Sequence, residues 1–353
     1  MTVSPERPPE SPVERLDLDA VHALAADALA ARGFSAAQRD AIARTVTAAE
    51  RDGCTSHGLF RVPFYVAALD DERADPRAEP TVVADGSAVV HVDAGAGFCP
   101  LALETGLPAL ADAARRHGVA ALAVRRAYNV AALWPEVERL AGEGLVAFAF
   151  TAANAYLAPA GGTRPLYGTN PMAFGFPREG RPPLVFDQAS SASARGEIQL
   201  RGRAGEPIPE GWAIDAEGRP TTDPGAALAG AQLPFGGHKG AALALMVELL
   251  AGALIGENLS VDSSEQDVAG TGAPFGGELL IAIDPARCAP PGREPTHLAT
   301  AERLFALVLE QPGARLPSDR RYAARERALV EGVEVDAELV GSLRTMAAEG
   351  TRA

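Results

Sequence analysis

The chain has 353 residues and a formal net charge of −14 at pH 7, with 47% hydrophobic and 22% charged residues. This length exceeds one typical domain, and the composition is that of a globular protein with a sizeable core. Because the charge is strongly negative and no run of Lys or Arg stands out, binding to nucleic acid or to an anionic membrane surface is disfavoured. An anionic small substrate would need local positive charge, which gives weight to any Arg or Lys in a motif.

The cysteines and the hydrophobic runs exclude further classes. Cys54, Cys99 and Cys288 form no CxxC pair, which indicates neither a disulfide framework nor a zinc cluster. No stretch of about 20 apolar residues lacks Gly or charge, so no membrane span is expected. The Pro- and Glu-rich start of the chain lacks the basic residues and apolar core of a signal peptide. We therefore expect a cytoplasmic protein whose residues 1–15 form a disordered tail.

The first part of the chain is predicted to be helical. Apolar residues recur at helical spacing between residues 17 and 50 and predict two helices. Gly33 ends the first helix, and Ser35 with Gln38 predicts a capping box for the second. Two short β-prone runs on either side of Asp85-Gly86 then predict a hairpin.

Strands and helices alternate through the middle of the chain, which predicts an α/β core. The predicted helices cover residues 101–117, 134–140 and 239–255, and the predicted strands cover 119–124, 145–150, 183–187 and 277–283. Helices return from about residue 300. The expected parts are a helical part at 16–78, a central α/β domain at 79–300 and a C-terminal helical part at 301–353.

The two common nucleotide-binding motifs are missing. The nearest candidate for GxGxxG is Gly95-Ala96-Gly97-Phe98-Cys99-Pro100, which ends in Pro and lacks the third Gly. His238-Lys239-Gly240 supplies the Lys of a P-loop, but Ala241 follows where Ser or Thr is required. A nucleotide would have to bind in another way.

The first segment that could carry chemistry contains Ser56, His57, Arg61 and Tyr65 within ten residues. If a helix begins near His57, then His57, Arg61 and Tyr65 share one face. A His can act as a general acid or relay near neutral pH, and an Arg can hold a carboxylate through two parallel hydrogen bonds. The alternative is a capped helix with a surface Arg and a partly buried Tyr.

Two further segments contain turn and strand signals. The run Leu166-Tyr167-Gly168-Thr169-Asn170-Pro171 predicts a turn that can present backbone N–H groups to a ligand, although most such turns have no ligand. Asp187 ends an apolar strand, where ligand sites of α/β proteins usually open. The alternative for Asp187 is the N-cap of a helix.

A fourth segment is suited to an anion. Gly236-Gly237 leads into a long helix with Lys239 in its first turn. The free N–H groups of a helix N-terminus and an ammonium group all favour phosphate. Since a Lys is electrostatically unfavourable at a helix N-terminus, its presence there predicts a bound anion.

These four segments, in this order and at these separations, resemble the malate/L-lactate dehydrogenase family, which also contains L-sulfolactate, ureidoglycolate and 2,3-diketogulonate dehydrogenases. The resemblance runs from about residue 17 to about residue 345 and rests on Ser-His-Gly-x-x-Arg, Gly-Thr-Asn-Pro and Lys-Gly after a Gly-rich turn. It implies an α/β fold whose NAD(P)-binding core is not of the Rossmann type but of the sulfolactate dehydrogenase-like type. It also implies a helical domain built from the N- and C-terminal parts, packed together, and a homodimer.

Within the family, three segments resemble the Δ1-piperideine-2-carboxylate/Δ1-pyrroline-2-carboxylate reductases. They are Ala131-Ala132-Leu133-Trp134-Pro135, the run from Leu233 to Gly240, and Arg320-Arg321-Tyr322. This resemblance implies reduction of a cyclic ketimine carboxylate to the L-imino acid, with NADPH as the cofactor and NADH as the alternative.

The resemblance also assigns roles to individual residues. His57 would be the acid or relay residue, supported by Ser56 and Asp187, and Arg61 would hold the carboxylate of a small anionic substrate. The other residues expected to contact substrate are Tyr65, Tyr128, Asn129, Thr169 and Asn170. The residues expected to contact the cofactor are Leu184, Val185, Phe186, Asp187, Gln188, Ala189, Ser190, His238, Lys239, Asp319 and Arg320. No metal site is implied.

One segment departs from the family pattern. The family usually has a His in the segment that here contains Tyr128 and Asn129. Asn can donate a hydrogen bond but cannot transfer a proton. A protonated imine already carries its proton, whereas ketone reduction needs one to move with the hydride, so the departure favours an imine substrate. Two alternatives stay open: a 2-hydroxy-acid dehydrogenase of the malate, lactate or sulfolactate type, with His57 or Tyr128 as proton donor, and a repurposed or inactive family member in a specialised biosynthetic pathway.

Overall fold

The computed structural model describes residues 12–290 and 296–349. The helices are α1 (Leu18–Ala30), α2 (Ala36–Arg51), α3 (Val62–Ala67), α4 (Cys99–His117), α5 (Trp134–Gly142), α6 (Arg195–Arg203), α7 (Pro224–Ala229), α8 (His238–Val247), α9 (Ser260–Gln266), α10 (His297–Leu309), α11 (Asp319–Glu331) and α12 (Ala337–Glu349). The strands are β1 (Val13–Leu16), β2 (Thr81–Val83), β3 (Val89–Asp93), β4 (Val119–Tyr128), β5 (Val146–Thr151), β6 (Met172–Phe176), β7 (Leu184–Gln188), β8 (Ala213–Ile214), β9 (Pro220–Thr221), β10 (Ala231–Gln232), β11 (Phe275–Ile283) and β12 (Val333–Asp336).

The central sheet has seven strands in the order β2-β3-β4-β11-β5-β6-β7. Its one parallel pair is β3 with β4, which flank α4, and the other five pairs are antiparallel. The predicted α/β alternation is therefore right in its elements, although the sheet is largely antiparallel. Because β3, β4, β5 and β7 all run in the same direction, their carboxyl ends meet at one edge of the sheet. We call this edge the carboxyl edge.

The two faces of this sheet are covered differently. Side chains alternate between the faces along each strand. On β5, Ala147 and Ala149 pack under α4 and α5, in the largest hydrophobic cluster. Phe148 and Phe150 point to the opposite face and pack against α8 and the turn that follows it. The small side chains let α5 lie close to the sheet, and the large ones fill the space beneath α8.

The helical part of the molecule is formed by both ends of the chain. Helices α1, α2 and α12 share one hydrophobic cluster, and β1 pairs antiparallel with β12. The prediction of a disordered tail over residues 1–15 is wrong for Val13 to Arg15, which lie in β1; residues 1–11 lie outside the described residues. The C-terminal part also divides. Helix α10 lies across a cavity of about 680 Å³ from β6 and the start of β7, and its Glu302 pairs with Arg178, just after β6.

Three local details differ from the sequence predictions. Ser35 caps α2 by accepting the N–H of Gln38, but the Gln38 side chain bonds Ala78 O instead of completing the capping box. Strand β6 was not predicted. The predicted helix over 239–255 ends as α8 at Val247 and continues as a π turn, Glu248–Gly252, and a 3₁₀ turn, Ala253–Ile255.

The stretch His238–Ile255 is the one described helical segment that is long and apolar enough to cross a membrane by length and composition. About 39% of it is buried within the molecule. A helix that packs in the core of a protein meets the same criterion, and this one covers the aromatic face of the sheet.

Candidate active site

The predicted site residues converge on the carboxyl edge of the sheet. Asn129 follows β4, Thr169 precedes β6, and Asp187 is the penultimate residue of β7. The first turn of α8 packs against the end of β7, because Phe235 N–H donates to Ser190 O at 3.1 Å. Gly240 is required here, since a Cβ atom would lie 2.8 Å from Ser190 O. The predicted cofactor segments 184–190 and 238–239 therefore adjoin.

The segment around His57 does not form one helix beginning near His57, which was the condition for His57, Arg61 and Tyr65 to share one face. It forms two 3₁₀ turns, Thr55–His57 and Leu59–Arg61, before α3 begins. Gly58 separates the turns with an extended backbone (φ −85°, ψ −142°), and a Cβ at Gly58 would lie 2.1 Å from Glu50 Oε1. That same oxygen accepts the N–H of Leu59 at 2.7 Å. The buried Glu50, which the sequence reasoning missed, thus fixes the turn, and its burial raises its pKa to about 7.

His57 is half-buried and is held next to Ser56. Ser56 Oγ and His57 Nδ1 are 3.1 Å apart. Desolvation and then the charge of Arg61 lower the pKa of His57 to about 3. The imidazole is therefore neutral at pH 7 in the protein without substrate, which weakens the prediction that it is a ready proton donor. A carboxylate bound to Arg61 would offset part of that charge and raise the pKa.

Two arginines lie at this site without an acidic partner. Arg61 donates from Nε to Ser56 O at 2.8 Å, and its guanidinium lies over Phe64. The guanidinium carbon of Arg195, at the start of α6, lies 3.8 Å from the ring centroid of Tyr156. Tyr156 interacts electrostatically with the guanidinium groups of both Arg61 and Arg195. Neither arginine forms an ion pair within residues 12–290 and 296–349. The sequence reasoning found Arg61 and missed Arg195.

Arg195 is brought to the site by the packing of α6. A Cβ at the next residue, Gly196, would lie 3.9 Å from Ser56 Cβ. The guanidinium also donates to Leu228 O at 3.3 Å. In a chain with a net charge of −14, two guanidinium groups free of carboxylates beside Ser56 and His57 are suited to an anionic substrate.

Tyr65 and Tyr128 are core residues rather than cavity-wall residues. Each is 1% exposed, and their rings lie in one aromatic cluster with Phe98 and Phe275. Burial and the neighbouring Asp71 carboxylate raise the pKa of Tyr128. These two side chains pack between α3 and the sheet, and their contact with substrate stays a prediction.

Asp187 has a different partner from the one expected. Its Oδ2 accepts the N–H groups of Leu133 and Trp134, at 2.8 and 3.1 Å, and so caps the start of α5. Among the described residues, His57 makes no hydrogen bond to Asp187. Asp187 is thus not the N-cap residue of a helix, since it lies within β7, but its carboxylate binds the start of α5 from across the fold. Desolvation raises its pKa to about 6.

Asn129 is fixed by two hydrogen bonds. Its Nδ2 donates to Glu278 Oε2 at 2.6 Å, and its Oδ1 accepts the N–H of Ala131 at 3.1 Å. The amide is therefore oriented, with one N–H left for another acceptor. Glu278, in β11, is a second buried carboxyl that the sequence reasoning missed.

Asn170 was predicted to contact substrate, and that contact stays a prediction, although its side chain is engaged elsewhere. It is fully buried and donates to Glu248 Oε1 at 2.7 Å, which ties the turn before β6 to the π turn after α8. Thr169 is half-buried, and its carbonyl accepts the N–H of Ser190 at 2.7 Å. Its hydroxyl contact with substrate stays a prediction.

Comparisons with known proteins agree with this architecture. The sequence pattern of the malate/L-lactate dehydrogenase family matches residues 16–344. This chain belongs to that family. The Δ1-pyrroline-2-carboxylate reductase of Ancylobacter novellus is 51% identical over 337 residues, 96% of this chain and 98% of that protein. The (2R)-3-sulfolactate dehydrogenase (NADP(+)) of Chromohalobacter salexigens is 44% identical over 332 residues, 94% of this chain and 97% of that protein.

A solved structure shows the same fold. The crystal structure of Δ1-piperideine-2-carboxylate reductase from Pseudomonas syringae pv. tomato has a TM-score of 0.89 at 40% identity, covering 94% of this chain and 99% of that chain. The predicted fold class, a core of the sulfolactate dehydrogenase-like type, is confirmed. As a member of the malate/L-lactate dehydrogenase family, the protein is an oxidoreductase that uses a nicotinamide cofactor.

The family's cofactor fits the segments around β7. The N-cap of α8, Gly237, offers no side-chain cap, and Lys239 in the first turn is exposed, so both are available to a phosphate. A cavity of about 350 Å³, lined by Gly236, Gly237 and Pro159 among others, opens beside this turn. Ser318, next to Asp319 and Arg320, hydrogen-bonds the N–H of Val185 in β7 at 3.1 Å. The three predicted cofactor segments therefore lie side by side.

Proposed function

We propose that this enzyme reduces a cyclic ketimine carboxylate of the Δ1-pyrroline-2-carboxylate or Δ1-piperideine-2-carboxylate type to the L-imino acid. Relatives with these activities align over nearly the whole chain. The observation that carries the proposal is Asn129, an oriented amide that cannot transfer a proton. An active site without a proton donor at this position suits a substrate that arrives already protonated.

The chemistry divides between cofactor and protein. A bound, reduced nicotinamide would supply the hydride that the imine carbon of the substrate accepts. The π electron pair of the C=N bond becomes the lone pair of a nitrogen that already carries its proton. Arg61 and Arg195 hold the substrate carboxylate, and the neutral His57 with Ser56 orients the ring without donating a proton.

Steady-state assays test this proposal. We expect turnover of Δ1-pyrroline-2-carboxylate or Δ1-piperideine-2-carboxylate with NADPH, and much slower turnover of linear 2-oxo acids of the same length. Asn129→His is the matched variant, because it restores a proton-transferring side chain and should raise 2-oxo acid reduction. The proposal would be overturned if the wild type reduced 2-oxo acids fast and reduced neither imine.

The second candidate is a 2-hydroxy-acid dehydrogenase, which the likeness to a (2R)-3-sulfolactate dehydrogenase supports. It requires a proton donor, and the buried Tyr128 is badly placed for that role, which leaves His57. If His57→Ala left ketone reduction intact, this candidate would fail.

The third candidate is an inactive or repurposed family member. Calorimetry with NADPH and NADH tests it, since an inactive member is expected to have lost cofactor binding, and binding of either cofactor would count against it.

We propose NADPH as the preferred cofactor, with NADH as the weaker one. The support is the NADP(+) named for the sulfolactate dehydrogenase relative and the basic pair Arg320-Arg321 beside β7. Comparing kcat/KM for the two cofactors tests this preference. Arg320→Ala should lower the ratio of kcat/KM with NADPH to kcat/KM with NADH.

We also propose a cytoplasmic homodimer that binds neither nucleic acid nor membrane. Leu245, Leu249 and Leu254 are exposed along the segment that follows the start of α8, and a second copy would cover them. Light scattering should give twice the mass of one chain. A monomer at micromolar concentration would contradict the dimer.

A further inference from the structure

Glu248 is a buried carboxyl group that the proposed reaction does not use. It is 5% exposed and begins the π turn that follows α8. Its Oε1 accepts Asn170 Nδ2 at 2.7 Å, the N–H of Gly168 at 3.4 Å and the hydroxyl of Ser260. Its Oε2 accepts the N–H of Ser260 at 2.9 Å. All four of these groups donate, which is the surrounding that an ionised carboxylate requires.

The partners of Glu248 lie on both sides of Thr169. The carboxylate holds the backbone N–H of Gly168, before Thr169, and the side chain of Asn170, after it. Ser260 adds to the same turn, because its hydroxyl oxygen accepts the N–H of Gly168 at 2.8 Å. The turn is also closely packed, since a Cβ at Gly168 would lie 2.7 Å from the backbone N and O of Ala153. The backbone at Thr169 therefore has little freedom.

Asn170 has a left-handed backbone, with φ +39°. This conformation is uncommon for a residue other than Gly and persists only when surrounding contacts hold it. Those contacts are Glu248 and the carbonyl of Ala244, which accepts Asn170 Nδ2 at 3.0 Å. The turn in turn holds Ser190 at the carboxyl edge: Thr169 O accepts the Ser190 N–H at 2.7 Å, and Asn170 O accepts its hydroxyl at 2.8 Å.

We propose that Glu248 is a positioning residue, whose carboxylate fixes residues 168–170 on α8 so that the Thr169 hydroxyl faces the substrate. The π turn that carries Glu248 agrees with this role, because such turns in α-helices occur frequently at functional sites. The inference rests on the proposed function in one respect, the contact of Thr169 with substrate. The hydrogen bonds of Glu248 do not depend on it.

Glu248→Gln tests the role of the carboxylate. It keeps the size of the side chain but turns an amide N–H towards a donor of Asn170 or Ser260, so kcat/KM with Δ1-pyrroline-2-carboxylate and NADPH should fall by at least about tenfold. Glu265→Gln, exposed on α9, removes the same charge and should leave kcat/KM unchanged. Val247→Ala removes buried apolar atoms beside Glu248 and should lower stability without lowering kcat/KM. An equal fall in Val247→Ala would overturn the proposal.

Thr169→Val distinguishes positioning from a general loss of structure. It keeps the shape of Thr169, removes the hydroxyl and should lower kcat/KM by itself. If Glu248 acts through Thr169, the double variant of Glu248→Gln and Thr169→Val should be no slower than the slower single variant. Losses that multiply in the double variant, or a Thr169→Val variant with the kcat/KM of the wild type, would overturn the proposal.

Calorimetric titration with NADPH supplies a readout without substrate. The contacts of Ser190 with Phe235 and Gly240 do not involve Glu248, so Glu248→Gln should bind NADPH within about threefold of the wild type. A loss of NADPH affinity as large as the loss of kcat/KM would assign the effect to α8 and overturn the proposal. If the wild type reduced a 2-oxo acid and no imine, the proposed function would fail. The same variants, assayed with that 2-oxo acid, should then still give the same order of kcat/KM, and a different order would overturn the role of Glu248.

Discussion

Glu50 sets the backbone of the Ser56–Arg61 segment through one buried oxygen. That oxygen accepts the Leu59 N–H and lies where a side chain at position 58 would have to be. Burial makes ionisation of this carboxyl unfavourable and raises its pKa to about 7. The contact that shapes the motif therefore also links the stability of the protein to pH.

The first prediction concerns Glu50→Gln. Between pH 4.5 and 7 the folded protein keeps a proton on Glu50 that the unfolded chain has lost, so this stabilising contribution is lost as pH rises through about 7. Gln keeps an acceptor for Leu59 and cannot ionise. We expect the variant to be more stable than the wild type by about 2 kcal/mol at pH 8 and nearly equal at pH 5. Urea unfolding at both pH values measures this, and a variant less stable at pH 8 would contradict it.

The second prediction concerns Arg195. Its guanidinium has no carboxylate partner among the described residues and stacks on Tyr156 near Arg61. Arg195→Ala should raise the KM of the imine by about tenfold and change kcat little, because a charge-assisted contact made in both ground and transition states is lost. Arg201→Ala, on the same helix but with its guanidinium paired to Glu197, is the control and should leave KM unchanged. If both substitutions raised KM equally, the rise would come from disturbance of α6 and not from loss of the Arg195 guanidinium.

At the scale of elements, α8 and β7 form the cofactor side of the site through a close approach at Gly240. A Cβ there would lie 2.4 Å from Phe235 O and 2.8 Å from Ser190 O, both backbone atoms that cannot move independently. The first turn of α8, with Lys239, is thereby held against the end of β7.

The third prediction follows from this approach. Gly240→Ala should displace the first turn of α8 and weaken cofactor binding by about tenfold, with a smaller effect on the imine KM. Calorimetric titration with NADPH measures the first effect. Gly142→Ala, on α5 with open space around its Cβ, is the matched control and should bind NADPH normally. Unchanged NADPH affinity in Gly240→Ala would show that this turn does not hold the cofactor.

The sequence predicted those elements whose signals are local. Helices α1, α2 and α4 follow from apolar periodicity and caps. Strand β6 was missed although Ala173 and Gly175 alternate with large side chains. Gly175 is small because Val137 O would lie 2.4 Å from a Cβ at that position. Such a requirement arises only when α5 packs on the sheet.

The site residues divide in the same way. The Ser56-His57 and Gly236–Lys239 segments were recognisable because their chemistry lies in neighbouring residues. The buried hydrogen bond of Asn170 was not predicted because its partner, Glu248, is 78 residues away. Glu278 and Arg195 were missed because a single Glu in an apolar strand or a single Arg after a loop carries no local signal. Only the fold shows what they face.

At the scale of the whole molecule, Arg325 joins the helical part to the α/β part. From α11 it donates to Asp52 Oδ1 and Oδ2, at 2.8 and 2.6 Å, and to Glu138 on α5 at 2.6 and 3.0 Å. Burial would raise the pKa of Asp52, but Arg325 and Arg51 hold it below its usual value. This contact lies directly before the Ser56–His57 segment in the chain.

The fourth prediction is that Arg325→Met destabilises the protein by about 2–4 kcal/mol, because Asp52 stays buried and keeps only Arg51 as a partner. Chemical denaturation measures the loss. The double variant with Asp52→Asn should recover part of it, since the buried charge that lost Arg325 is then gone. Additive losses in the double variant would show that the two residues do not interact in this way.

The pairing of β1 with β12 has a consequence for the order of events during synthesis. More than 300 residues separate the two strands, so the N-terminal helices emerge from the ribosome long before their partner exists. The central sheet, whose strands all lie between Thr81 and Ile283, is complete earlier. Since domains tend to fold as their residues emerge, the cofactor side should form first and the Ser56–Arg61 side last. A nascent chain would therefore be unable to hold the substrate until its final helix, α12, is in place.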